Sequence, residues 1–192
     1  KFNMLRKITS FCLAGLLLVG CSGKKTEESQ QETTPIPTET VTVSGTVKRV
    51  GLHSLSITAA DGKDMEFIIH ESTDLSASKQ IIPCCPVEVT YYVTSSRKNF
   101  ATKIDTDEAY TEAVGIWLNT DQTNAGDGFS IMECGKISPL GETIPPYTSW
   151  RVGAEEHTIV LATAEGDITA VIAKSDGQTV LTLSDGHKFN KL

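Results

Sequence analysis

Residues 157–191 read HTIVLATAEGDITAVIAKSDGQTVLTLSDGHKFNK, and this stretch decides the fold of the chain. Apolar and polar side chains alternate along four short segments, with the period of two that is typical of a β-strand with one buried face. The segments are separated by Glu165-Gly166, Asp176-Gly177 and Asp185-Gly186, which are dipeptides that favour tight turns. The stretch therefore predicts four antiparallel strands joined by hairpins.

The same alternation begins earlier in the chain, near Glu112. It predicts eight short strands in succession, over residues 114–118, 128–132, 136–138, 148–152, 157–163, 167–173, 179–183 and 188–191. An eight-stranded meander closes naturally into an up-and-down barrel, because closure removes the exposed strand edges. We therefore predict a compact eight-stranded β-barrel domain over residues 110–192.

A shorter group of strands precedes this meander. Alternating residues predict five strands, over residues 41–47, 55–57, 65–69, 87–93 and 100–104. These strands suggest a small five-stranded barrel of the oligonucleotide/oligosaccharide-binding (OB) type over residues 41–107, with a short helix in the long connection 71–86. The predicted fold class is therefore all-β, with two barrels in series.

The N-terminal segment has the pattern of an export signal. Arg6 and Lys7 precede an apolar run, residues 8–20, that is too short to span a bilayer. We interpret residues 1–20 as a signal peptide. Residues 22–40 are polar, charged and interrupted by proline, so they cannot bury a core and are expected to form a flexible tether after Cys21.

The tetrapeptide Leu18-Val19-Gly20-Cys21 resembles the lipobox of bacterial lipoproteins. The resemblance implies that Cys21 is acylated, by palmitate or a similar chain, and becomes the N-terminus of a membrane-anchored protein. Ser22 follows Cys21 where some lipoproteins retained in the inner membrane have Asp, so the resemblance favours the outer membrane of the cell envelope.

The charge of the chain limits its partners. It has 24 acidic and 17 basic residues and a formal net charge of −7, which becomes more negative once the basic signal segment is removed. A net negative charge disfavours binding to nucleic acid or to anionic lipid surfaces. We therefore expect no nucleic-acid partner.

The second barrel carries motifs of a known family. Gly115-Ile116-Trp117 in the first strand, followed by short strands and glycine-containing hairpins, resembles the opening of lipocalins. Residues 112–192 more closely resemble the compact lipocalin-like domains of Bacteroides-type lipoproteins. Lipocalins have an Arg near the C-terminus that stacks on the first-strand Trp; this chain departs from that pattern, since it has no Arg there and only Lys188 and Lys191.

The resemblance implies a protein that binds a small apolar ligand or an envelope partner. Its expected ligand-binding residues are those around the mouth of the barrel, namely Trp117, Phe129, Tyr147 and Trp150. A second interpretation makes the two tryptophans core residues that fill the barrel. In that case the protein is a structural or scaffold subunit of a cell-envelope complex.

Three cysteines remain in the folded part, at positions 84, 85 and 134. The sequence Pro83-Cys84-Cys85-Pro86 is compatible with a vicinal disulfide or a soft-metal site. It is also compatible with a loop in which one cysteine is buried and the other pairs with Cys134 or stays free.

Motifs of catalysis are missing from the sequence. There is no Gly-x-Ser-x-Gly, His-Glu-x-x-His or Cys-x-x-Cys, and the four histidines, at positions 53, 70, 157 and 187, do not have metal-ligand spacing. The pairs Asp107-Glu108 and Glu155-Glu156 are interpreted as solvated charges in turns. We therefore predict a non-enzymatic protein without a cofactor or metal; redox chemistry at Cys84 and Cys85 is the alternative.

Overall fold

Five strands form the first of two sheets in the computed structural model, which describes residues 39–120, 126–141 and 146–192. They are β1 (Val41–Val50), β2 (Ser54–Ala59), β3 (Asp64–Ile68), β4 (Pro86–Val93) and β5 (Asn99–Thr106). The sheet closes into a barrel in the order β1-β2-β3-β5-β4, and the β3–β5 pairing is parallel. The predicted five-stranded barrel is confirmed.

The core of this barrel follows directly from the alternation in the sequence. Leu55 and Ile57 of β2 point inward and are fully buried, while the residues between them are half-buried. Phe67 of β3 packs edge-on against Tyr91 of β4, with ring centroids 5.1 Å apart. The barrel is therefore filled by its own side chains.

The connection between β3 and β4 does not contain the predicted short helix. Residues 71–85 form turns and bends instead, and the backbone of Asp74 bridges to β5, its amide donating to the Thr102 carbonyl and its carbonyl accepting from the Ile104 amide. The side chains of Thr73 and Asp74 accept hydrogen bonds from the nearby amides of His70 and Ser76. Such local bonds compete with helix formation, which explains why the prediction was wrong.

Eight strands form the second sheet. They are β6 (Gly115–Asn119), β7 (Gly128–Ile131), β8 (Ile137–Leu140), β9 (Tyr147–Val152), β10 (Thr158–Thr163), β11 (Asp167–Ser175), β12 (Gln178–Leu183) and β13 (Lys188–Lys191). Their order is β8-β7-β6-β13-β12-β11-β10-β9, so the first strand of the meander pairs with the last. The predicted all-β fold with a second, eight-stranded antiparallel barrel is confirmed.

The second barrel is nearly closed, and its gap lies between β8 and β9. An isolated bridge joins Lys136 to Ser149 there, and the Trp150 amide donates to the Gly135 carbonyl at 3.0 Å. Pro139 in β8 has no amide hydrogen to donate, which suits a strand at the border of a gap. Pairing across the gap is therefore limited to one end of these two strands.

One short helix, α1 (Glu108–Ala113), lies between the two barrels in the chain. Asp107 caps it by accepting a hydrogen bond from the Tyr110 amide at 2.8 Å. Its buried residues are Ala109, Tyr110, Thr111 and Ala113, and the helix contacts β9, β10 and β11. The helix therefore covers one end of the eight-stranded barrel.

The two barrels are joined by covalent and hydrogen bonds near this helix. A disulfide links Cys84, just before β4, to Cys134, between β7 and β8. The Tyr110 hydroxyl donates to the Pro83 carbonyl and accepts from the Cys134 amide, each at 2.9 Å. The buried apolar residues of both barrels form one continuous cluster.

The described residues belong to a compact unit that spans Ile36–Leu192. Cys21, the predicted signal segment and nearly all of the predicted tether lie outside the described residues. Within the described ranges, no helix has the length and apolar character needed to cross a membrane.

Candidate functional site

The interior of the eight-stranded barrel is packed with side chains along most of its length. Its fully buried residues include Trp117, Phe129, Ile131, Ile159, Leu161 and Leu181. An eight-stranded barrel is just wide enough to be filled in this way. Space for a ligand is therefore confined to the ends of the barrel.

The end opposite α1 holds a cavity of about 250 Å³, here called the mouth cavity. It lies where β6 and β12 end and where β7, β9, β11 and β13 begin. Its lining residues are Asn119, Asp127, Gly128, Phe129, Pro146, Tyr147, Ile168, Asp185, His187 and Phe189. The mouth cavity therefore combines aromatic and aliphatic side chains with a few polar ones, the composition typical of small-molecule sites.

Three aromatic rings form the apolar part of the mouth cavity. The Phe129 ring lies edge-on to two others, with centroids 5.0 Å from Tyr147 and 4.9 Å from Phe189. Phe129 is fully buried, Phe189 nearly so, and Tyr147 is half-buried. Phe129 thus forms the floor of the cavity, and Tyr147 reaches towards solvent.

Gly128 allows β7 to approach β6 at this end of the barrel. A Cβ atom at Gly128 would lie only 2.0 Å from the Trp117 carbonyl oxygen, a distance that no side chain tolerates. The close pairing sets Phe129 opposite Trp117 in the register of the two strands. The glycine therefore positions the floor of the mouth cavity.

The polar group with the clearest electrostatic effect in the mouth cavity is Asp185, in the hairpin between β12 and β13. Its Oδ1 accepts a hydrogen bond from the His187 amide at 3.1 Å and lies 3.0 Å from His187 Nδ1. The backbone hydrogen bond from His187 lowers the pKa of Asp185, so this carboxylate is ionised at neutral pH. It places a negative charge at the mouth cavity.

The hydroxyl of Tyr147 is the second polar group. Burial, assisted by the negative charge of Asp185, raises the pKa of Tyr147 to about 12. The hydroxyl is therefore neutral at physiological pH. Among the described residues it has no hydrogen-bond partner, so it can donate to or accept from a ligand.

The four residues predicted to bind a ligand lie in two places. Phe129 and Tyr147 line the mouth cavity, whereas Trp117 and Trp150 lie outside it, towards α1. The indole of Trp117 donates to the Ala113 carbonyl and that of Trp150 to the Met132 carbonyl, each at 2.7 Å. Both tryptophans are buried, as the alternative interpretation of them as core residues requires.

Ile168, Asp185 and Phe189 also line the mouth cavity and were not predicted from the sequence to do so. Phe189 is the one aromatic residue of the last predicted strand, and the Asp185-Gly186 turn directly precedes it. These signals were present. Whether these residues line a cavity depends on which hairpins lie at the same end of the barrel. The antiparallel order of all eight strands decides this.

A second group of polar side chains lies at the opposite end, around α1. Carboxylate oxygens of Glu108 and Glu112 and a ring nitrogen of His157 lie within 4.8 Å of one another, a donor set that suits zinc. Lys79 binds both carboxylates, at 2.7 Å from Glu112, and Lys174 lies 3.9 Å from Glu112. The group is therefore an ion-pair network that ties the loop before β4 to α1 and to the eight-stranded barrel.

The acidic pairs of the sequence also meet near α1. Asp107, Glu108, Glu155, Glu156 and His157 line a shallow cleft of about 390 Å³. The sequence predicted only isolated pairs in turns. Asp107 and Glu108 lie at the start of α1 instead of in a turn, and the fold places them beside Glu155 and Glu156, which no local pattern could indicate.

The cysteines adopt one of the arrangements that the sequence left open. Cys84 pairs with Cys134, and Cys85 is fully buried with a free thiol. Burial raises the pKa of Cys85 to about 11, so the thiol stays protonated at neutral pH. A protonated, buried thiol is a poor nucleophile and a poor metal ligand.

Together, the fold and the mouth cavity define an all-β protein with two barrel-like parts, of which the eight-stranded one has a small cavity at one end. Comparison of the chain with models of protein families, with curated proteins and with solved structures gave no match. The resemblance to lipocalin-like lipoproteins stays a prediction.

Proposed function

We propose that this protein is a non-enzymatic, envelope-anchored lipoprotein that binds one small apolar or amphiphilic molecule in the mouth cavity of its eight-stranded barrel. The observation that carries the proposal is the cavity of about 250 Å³, built on three aromatic rings at the end of the barrel that α1 does not cover. Its volume lies just below the range of about 300–1,000 Å³ for sites of drug-sized ligands. The ligand is therefore small, or inserts only one of its ends.

The pairing of Trp117 with Lys191 supports the lipocalin-like part of the proposal. Lys191 Nζ lies 5.7 Å from the centre of the Trp117 ring and donates to the Glu112 carbonyl at 2.6 Å. A cation over the face of an indole is an attractive contact. In lipocalins an Arg makes the corresponding contact with the first-strand tryptophan, so the contact of Lys191 with Trp117 supports the proposal although the residue differs.

The proposed lipid anchor would place the mouth cavity near a membrane. An acyl group on Cys21 would hold the protein at a membrane, which we propose to be the outer membrane, and residues 22–40 would separate the barrels from the lipid headgroups. Apolar molecules and lipid fragments are concentrated there. A binding protein at this place would meet its ligand near the surface.

Binding can be tested with 1-octanol, a neutral amphiphile, added to the chain from residue 22 onward with methyl-labelled isoleucines. The methyl resonance of Ile168, which lines the mouth cavity, should shift to saturation, whereas that of Ile57, inside the five-stranded barrel, should stay in place. Ile168→Trp should fill the cavity and weaken binding at least tenfold. Ile116→Trp, which adds the same ring on an exposed face of β6, is the matched control.

Two results would contradict the proposal. One is a spectrum in which no resonance saturates, and the other is binding that Ile168→Trp and Ile116→Trp leave equally strong. Either result would favour the alternative function, a scaffold subunit of an envelope complex. The filled interiors of both barrels are the observation that favours that alternative.

A further inference from the structure

The described residues that line the mouth cavity include acidic side chains. Its lining residues, as far as the structure describes them, include two aspartates, Asp127 and Asp185, and one histidine, but no lysine or arginine. The chain as a whole has the same bias, since its formal net charge is −7. A ligand that enters the cavity therefore meets the negative charge of Asp185.

The negative charge and the apolar surface lie next to each other. Asp185 and Tyr147 both line the mouth cavity, and the charge of Asp185 contributes to the raised pKa of the Tyr147 hydroxyl. Tyr147 in turn packs against Phe129, the floor of the cavity. A molecule in contact with the Tyr147 ring thus has the Asp185 carboxylate within reach of its polar end.

We propose that the ligand of the mouth cavity is a small amphiphile with a protonated amine, whose apolar part contacts Phe129, Tyr147 and Phe189 and whose ammonium group binds Asp185. The inference rests on the proposed function, because it names the chemical class that the same site selects. An ammonium group donates hydrogen bonds to carboxylate and hydroxyl oxygens, and it is attracted to the faces of aromatic rings. A carboxylate at the same position would be repelled by Asp185.

His187 contacts only one of the two carboxylate oxygens of Asp185, so it leaves room for an ammonium group at the other. His187 holds Asp185 through its backbone amide, and its Nδ1 lies against the same carboxylate oxygen. The second oxygen of Asp185 has no partner among the described residues that would neutralise it. It is the oxygen that we assign to the ammonium group.

The test compares three probes with the same alkyl chain and different polar ends: octylammonium, 1-octanol and octanoate. Their dissociation constants are measured at pH 8 from the methyl resonance of Ile168. Octylammonium should bind at least tenfold more tightly than octanoate, with 1-octanol between them. Asp185→Asn should reduce the difference between octylammonium and octanoate to about twofold or less.

Asp176→Asn is the matched control. Asp176 lies in the exposed hairpin between β11 and β12, at the end of the barrel away from the mouth cavity, and the substitution removes the same charge from the chain. Its left-handed backbone, with φ of 52°, suits Asn as well as Asp. This variant should keep the full preference for octylammonium.

The outcomes separate the two proposals. Equal binding of all three probes, or a preference for octanoate, would overturn the amine assignment and leave the proposed function intact. If Asp185→Asn and Asp176→Asn reduce the preference for octylammonium equally, the preference arises from the net charge of the protein. This result would also overturn the amine assignment. Failure of all three probes to bind would overturn both proposals.

Discussion

Cys84 and Cys85 are neighbours in the chain with opposite environments. Cys84 has a left-handed backbone, with φ of 61°, and pairs with Cys134, whose φ is 59°. Cys85 points into the core and is fully buried. A sharp turn at Cys84 thus sends one sulfur towards the other barrel and the next into the interior.

The buried thiol of Cys85 makes stability depend on pH above pH 9. The pKa of this thiol is about 11 in the folded protein and near 9.0 in an exposed chain. Between these values the unfolded chain loses a proton that the folded chain keeps, so raising the pH favours unfolding. The contribution is fully present below pH 9 and is lost as the pH rises through about 11.

We expect Cys85→Ala to remove this dependence. The free energy of unfolding of the wild type, relative to Cys85→Ala, should fall by about 1–2 kcal/mol between pH 8.5 and pH 10.5. Urea denaturation of both proteins at each pH measures the difference, and the other titrating groups cancel because both proteins share them. Parallel pH profiles would show that Cys85 ionises alike in the folded and unfolded chains.

At the scale of secondary structure, α1 is the element that closes one end of the eight-stranded barrel. A helix of six residues is too short to be stable alone. It is held by its cap at Asp107, by the packing of Tyr110 on Trp150 with ring centroids 4.9 Å apart, and by the ion pairs of Glu108 and Glu112 with Lys79. Tertiary contacts therefore create this helix.

Asp107→Ala should destabilise the protein by about 1 kcal/mol, because the Tyr110 amide loses its hydrogen-bond acceptor. Asp107→Asn should cost much less, since Asn caps helices as well as Asp does. Chemical denaturation followed by tryptophan fluorescence measures both variants, and Trp150 reports on the contact with α1. Equal losses in the two variants would mean that the charge of Asp107 matters rather than its capping geometry.

In the whole molecule, the two barrels share one buried cluster and a covalent link. The Cys84–Cys134 disulfide joins positions that are 50 residues apart in the chain, and Tyr110 bonds to the backbone on both sides of it. A disulfide stabilises a protein largely by restricting its unfolded chain, and the effect grows with the size of the loop. The link should therefore contribute to the stability of both barrels.

Replacing both partners, as Cys84→Ala with Cys134→Ala, should lower the free energy of unfolding by about 2–4 kcal/mol. Thermal and urea denaturation under non-reducing conditions measure the loss. Reduction of the wild type should have a similar effect, and reduction of the double variant none. A double variant as stable as the wild type would show that the shared core alone joins the barrels.

The sequence by itself determined most of the strands of this protein. Alternation predicted all thirteen strands to within a few residues, since the backbone of a strand turns successive side chains to opposite faces whatever the strand pairs with. The Asp-Gly turns predicted the hairpins for an equally local reason. The order of the meander followed, because neighbouring strands joined by short turns pair with each other.

The tertiary structure alone decided the site. Trp117 and Tyr147 were both predicted to lie around the mouth of the barrel, yet one is buried beside α1 and the other lines the mouth cavity. Three features join residues that are far apart in the chain. They are the packing of α1 on the eight-stranded barrel, the disulfide between Cys84 and Cys134, and the position of Asp185 near Tyr147. Such contacts depend on the register and closure of the whole barrel, which long-range pairing sets and no local pattern records.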